Sequence, residues 1–200
     1  MIAAPILLVF GLSAAAGLTR PDPQAVFRAW LGTAGGALLV AMPAFLLLIA
    51  LGVRPDAASG PLATWLDAGR AWLLITVLCV WADDTFAYFG GRLIGRGRFF
   101  NHISPNKTWS GTVAGGVAAI LAGGLLGAWV GQPLVGLGLG VLVAFAAPVG
   151  DLAESALKRA ANVKDSGRLF PGHGGILDRI DAFLVVAPAA WLYLVLAGVA

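Results

Sequence analysis

Four side chains in the last third of the chain are spaced for shared chemistry. Asp151, Glu154, Ser155 and Lys158 stand at i, i+3, i+4 and i+7, which puts them on one face of a helix. Asp178 and Asp181 are three apart and share a face by the same rule. Hard carboxylate oxygens converging from two helix ends suit a divalent cation of the Mg²⁺ type. A single carboxylate there reads more simply as a solvated helix end with local ion pairs; Asp151, Asp178 and Asp181 together favour a metal-binding set. Between the two groups lies Pro171-Gly172-His173-Gly174-Gly175. Glycines around a histidine allow close backbone approach and expose amides, as phosphate-binding loops do. Lys158, Arg159, Lys164, Arg168 and Arg179 are suited either to neutralising phosphates or to anchoring helix ends at a membrane surface.

Two earlier stretches add candidates. Asp84 and Tyr88 are one helical turn apart near the end of an apolar run, and an acid in that position most often faces a polar cavity. Asp83, its neighbour, is expected to point elsewhere, so that only one of the two lines the site. Ser104, Lys107 and Thr108 open the next apolar run. Thr108 is a natural helix cap, and Lys107 either an anchor or a pocket cation.

These residues must be positioned by membrane helices. Of 200 residues, 59% are hydrophobic and 12% charged, against about 25% charged in soluble domains. The apolar runs are near the about 20 residues a spanning helix needs, not the alternating segments of a barrel. Six spans are expected: 2–18, 31–53, 70–91, 109–130, 134–157 and 181–200. No Lys or Arg precedes the first run, so it reads as a short span rather than a signal peptide. A polar link covers 19–30, and a loop covers 54–69, with Trp65 and Trp72 flanking its far end as interfacial aromatics do. An all-α bundle of six spans puts 19–30, 92–108 and 158–180 on one side. Those segments carry 11 of the 13 Lys and Arg residues; Arg54 and Arg70 lie on the other. The asymmetry assigns the charged side to the cytoplasm, of the inner membrane in a bacterial cell. Cys79, the single cysteine, reads as a small buried hydrophobe. A net charge of +3 does not point to nucleic acid. The pairs Gly32/Gly36, Gly111/Gly115, Gly123/Gly127 and Gly136/Gly140 allow close helix approach, either within the bundle or in a homodimer.

Residue chemistry alone therefore describes a polytopic bundle with a cytoplasm-facing pocket, acids for a divalent metal and a basic ring for phosphates. An enzyme acting on a phosphorylated lipid and a nucleotide fits. A transporter fits less well, because its acids would sit near mid-membrane on broken helices.

Residues 155–181, SALKRAANVKDSGRLFPGHGGILDRID, closely resemble the signature of the phosphatidate cytidylyltransferases: S-x-x-K-R, K-D, P-G-H-G-G and D-R-x-D in order. Residues 81–88, ending D-T-F-A-Y, and 104–111, SPNKTWSG, resemble the same family. The likeness covers about 80–182 and implies one membrane domain over 1–200, with a catalytic core at 80–182 and cytoplasmic loops at 92–108 and 158–180. It implies that CTP and phosphatidate give CDP-diacylglycerol and pyrophosphate with Mg²⁺. It also implies Asp151, Asp178 and Asp181 as metal ligands, with Lys158 and His173 beside them at the catalytic centre. Asp84, Ser104, Lys107, Thr108, Ser155, Arg159, Lys164, Arg168 and Arg179 are the implied substrate contacts. Family members are usually longer, with further spans before the matched region, so the resemblance is to a short form: a short member, a mis-set start or a fragment. The alternatives are a CTP-dependent transferase on another lipid phosphate or lipid alcohol, including a lipid kinase that would release CDP, and a non-catalytic membrane relative.

Overall fold

Inside hydrocarbon only a helix satisfies every backbone donor and acceptor within its own segment, and the apolar runs fold accordingly. The computed structural model describes residues 23–95, 97, 107–160 and 180–200, and among them there are five α-helices and no strand. They are α1 (Pro23–Gly52), α2 (Ala68–Leu93), α3 (Trp109–Trp129), α4 (Pro133–Ala160) and α5 (Phe183–Leu196). Two short 3₁₀ turns, Pro55–Ala57 and Pro61–Thr64, lie between α1 and α2. The expected span at 2–18 lies outside the described residues.

Three described helices are long and apolar enough to cross a membrane: Ala68–Leu93, Trp109–Trp129 and Pro133–Ala156. They match the expected third, fourth and fifth spans within two residues at most ends. Two boundaries differ. Residues 23–30, expected as a link, are already helical in α1, because Pro23 at a helix start loses no hydrogen bond. The expected last span is a helix of only 14 residues, about 21 Å long against a hydrocarbon core of about 30 Å. Its far end is tied back instead: the Arg54 amide donates to the Val199 carbonyl at 2.9 Å.

Glycine sets the helix spacing. At the α3–α4 crossing, a Cβ on Gly127 would lie 2.7 Å from the Gly136 Cα, and one on Gly140 would lie 2.5 Å from the Ala119 carbonyl oxygen. At the α2–α3 crossing a Cβ on Gly115 would lie 2.6 Å from the Asp83 carbonyl oxygen. Backbones this close gain dispersion contacts that larger side chains would forbid. Three of the four glycine pairs thus pack within the bundle. A Cβ on Gly32 or Gly36 would meet nothing within 4 Å among the described residues.

The end of the bundle that holds the α1–α2 connection is closed by packing. Trp72, expected at an interface, is fully buried, and its indole N–H donates to the Ala57 carbonyl at 3.3 Å. Trp65 is 86% exposed, as an interfacial aromatic should be. Cys79 is buried, as expected. Tyr193 donates its hydroxyl to the Val135 carbonyl at 2.9 Å, fastening α5 to α4.

Candidate active site

Up-and-down connection brings the C-terminal ends of α2 and α4 and the N-terminal ends of α3 and α5 to the same end of the bundle. A cavity of about 670 Å³ opens there. Helix α2 contributes Asp83, Asp84, Tyr88 and Arg92; the segment entering α3 contributes Lys107 and Thr108; α4 contributes Asp151 and Pro148. Asp84, Lys107, Thr108 and Asp151, four residues expected at the site, therefore line one cavity.

Each is held by local structure. The Thr108 hydroxyl accepts from the Gly111 amide at 3.1 Å, so it caps α3 as its position predicts. That cap fixes the preceding residue, and Lys107 Nζ lies 2.6 Å from Asp151 Oδ2, across 44 residues of sequence. Both side chains are about one-quarter exposed, so the pair is partly shielded and stronger than a surface ion pair. Arg92 donates to the Tyr88 hydroxyl at 2.9 Å along one turn of α2.

Asp83 departs from expectation. It lines the cavity beside Asp84, and it is the more buried of the two, at 5% exposure. Its Oδ1 has no hydrogen-bond partner among the described residues and would lie 3.0 Å from a Cβ on Gly115. Adjacent helix positions diverge by only about 100°, and a cavity set between two closely packed helices borders both. The sequence held one usable sign of this: a glycine on the facing helix, Gly115, that leaves room for a carboxylate.

The charged face of α4 divides between two tasks. Asp151 reaches the cavity. Glu154 is buried and pairs with Lys158 at 2.6 Å. Ser155 is half-buried, Arg159 is exposed, and neither lines the cavity. Asp181 lies in the turn before α5, not on that helix as its spacing suggested. Its Oδ1 accepts from the Ala182 amide at 2.9 Å. Gly150 admits this turn: a Cβ there would lie 2.7 Å from the Asp181 carbonyl oxygen. Burial, and next the charge of Asp151, push the Asp181 carboxyl up to about 7. Asp178, His173, Ser104, Lys164, Arg168 and Arg179 lie outside the described residues.

In donor chemistry the residues present fit a divalent cation. Asp151 and Asp181 are hard oxygen donors whose charges act on one another. Asp83 adds a buried carboxylate oxygen without a partner among the described residues. No group of three or more His, Cys, Asp or Glu side chains is assembled among the described residues.

Fold and pocket together define a helical membrane bundle with an acid-and-lysine site at one end. Comparison with known sequences makes the assignment specific. The cytidylyltransferase family matches residues 6–197, and the chain belongs to that family. A phosphatidate cytidylyltransferase of Brucella abortus biovar 1 (strain 9-941) is 52% identical over 134 residues, 63% of this chain and 47% of the relative. One from Synechocystis sp. is 39% identical over 175 residues, 78% of this chain and 58% of the relative. The chloroplastic phosphatidate cytidylyltransferase 5 of Arabidopsis thaliana is 43% identical over 143 residues, 70% of this chain and 35% of the relative. The chain thus spans about half the length of the bacterial relatives it matches.

Proposed function

We propose that the chain is a nucleotidyltransferase that joins CTP and phosphatidate to give CDP-diacylglycerol and pyrophosphate. The observation that carries this reading is the Lys107–Asp151 pair set among Asp83, Asp84 and Arg92 in one cavity, in a chain of the cytidylyltransferase family. A phosphatidate oxygen forms a bond to the α-phosphorus of CTP. The bond from that phosphorus to the oxygen bridging to the β-phosphorus breaks, and pyrophosphate leaves with the electron pair. The phosphatidate oxygen is already ionised, so no strong general base is needed, and His173 is not assigned that role.

Catalysis then rests on holding the reacting groups in line and neutralising charge. Lys107 and Arg92 supply fixed positive charge at the cavity wall, and the Thr108 cap holds Lys107 in place. Asp151, Asp181 and Asp178 would hold Mg²⁺, which when bound neutralises triphosphate oxygens and eases the leaving of pyrophosphate. Lys158, Lys164, Arg168 and Arg179 belong to the phosphate-handling segment. The charged end faces the cytoplasm from the inner membrane.

The test is the purified chain in detergent with phosphatidate, labelled CTP and Mg²⁺, following pyrophosphate and labelled lipid together. Equal release of both, abolished by EDTA, is expected. Release of CDP with phosphorylated lipid would replace this reading with a lipid kinase. Neither product, with any lipid phosphate, would overturn it.

A further inference from the structure

Two cations stand side by side at the end of α4, and they turn opposite ways. Arg159 is exposed, as an anchor at a membrane surface should be. The Lys158 side chain is only 18% exposed, and its Nζ lies 2.6 Å from Glu154 Oε2, one turn back along the helix. A lysine near a membrane surface ordinarily runs its stem over apolar neighbours and keeps the ammonium in water. Here the ammonium is drawn back into the bundle by a carboxylate side chain that is 1% exposed. Taking two charges out of water is costly, and an apolar pair of the same volume would hold a helix end at least as well. Stability alone therefore does not account for the pair. Its surroundings do. Glu154 follows Asp151 by three residues, on the same helix face. The Asp181 carboxyl, raised first by burial and next by the Asp151 charge, is raised further by Glu154. The pair thus stands beside two of the carboxylates proposed for Mg²⁺.

We infer that Glu154 is a positioning residue, which holds the Lys158 ammonium on the metal-binding side of α4 to neutralise phosphate of the incoming nucleotide. The inference rests on the proposed function. It adds what separates a cation built into the site from one that anchors the helix: Lys158 has a buried carboxylate one turn behind it, and Arg159 points to water. Glu154 acts through Lys158, by charge and by direction. Without it the lysine stem is free to carry the ammonium outward to the headgroups, as its neighbour does, and the nucleotide loses a cation while the fold loses little.

The test has two arms. In the first, the purified chain in detergent, without metal or nucleotide, is treated with acetic anhydride, and acetylation of Lys158 is followed by mass spectrometry with Lys107 as internal reference. Lys158 should react slowly in wild type and faster in Glu154→Gln; equal rates would overturn the inference. The second arm sets kinetics beside melting. Glu154→Gln should lower kcat/KM for CTP by about 10², the loss that a misplacement of about 1 Å brings, and leave the KM for phosphatidate unchanged. A loss confined to phosphatidate would overturn the inference. Replacing the pair together, by Glu154→Met with Lys158→Met, should bring the melting temperature to the wild-type value or above while turnover stays low. Recovery of turnover along with melting would make the pair structural. Absence of cytidylyl transfer by the wild-type chain would sink the proposed activity instead, and the acetylation rates would still show whether Glu154 holds Lys158.

Discussion

At the residue scale, the pocket depends on a few charges, of which the Lys107–Asp151 pair is partly shielded from water. Lys107 spans 44 residues of sequence to reach Asp151. Lys107→Ala should lower kcat/KM for CTP by about 10²–10³, the loss typical of one preorganised electrostatic contact. Lys107→Arg should recover part of it; an alanine variant with wild-type kinetics would remove Lys107 from the site. Asp83 makes a separate prediction. A buried carboxylate oxygen without a partner costs about 1–3 kcal/mol. Metal-free Asp83→Asn should therefore melt at a higher temperature than wild type while turning over more slowly, the trade-off expected of a functional acid. Lower melting with unchanged turnover would make Asp83 a structural residue. Under the proposed metal role, Asp181 gives Mg²⁺ binding a pH dependence. Its carboxyl, pushed up to about 7, carries a proton below that pH, and a divalent cation must displace the proton. Mg²⁺ affinity should rise as pH increases through this range and level off above it. Calorimetry in buffers of different protonation enthalpy should detect proton release near 7 and little at higher pH.

At the element scale, the site is a consequence of how closely α2, α3 and α4 approach. Gly115 allows α3 to lie against the Asp83 backbone. Gly115→Val should destabilise the bundle by about 1–3 kcal/mol, the usual cost of overpacking, and should disturb turnover as well, because Asp83 shares the contact. Gly136 makes a comparable approach at the other end of α3, so Gly136→Val should cost stability and leave the KM for CTP unchanged. Detergent melting curves beside steady-state kinetics separate the two. The charged face of α4 was legible as a face from its i, i+3, i+4, i+7 spacing. Its division into a cavity-lining Asp151 and a buried Glu154–Lys158 pair was not, because spacing gives direction around one helix and not what packs there.

At the scale of the whole molecule, the proposed orientation follows the charge asymmetry. Arg54 and Arg70 lie at the closed end, and Lys107, Lys158 and Arg159 at the pocket end. Cys79 is buried, so single cysteines introduced elsewhere report cleanly on sidedness. A membrane-impermeant maleimide should label Arg159→Cys from the cytoplasmic side and Ser59→Cys, also exposed, from the other. The reverse pattern would invert the proposed topology and with it the access of CTP.

The chain alone determined its class and pointed to its family. Composition and long uncharged runs require helices, since hydrocarbon offers no partner for an unpaired backbone group. The D-R-x-D and P-G-H-G-G motifs pointed to the family that the whole-chain match then showed. What only the tertiary structure decided is which side chains meet. Asp83 joins Asp84 in the cavity, Trp72 leaves the interface for the core, and Asp181 stands in a turn rather than on a helix. Each outcome depends on the distance between helices far apart in sequence. That distance is set by which glycine meets which backbone on another element, Gly115 against Asp83 and Gly150 against Asp181, which local periodicity does not encode.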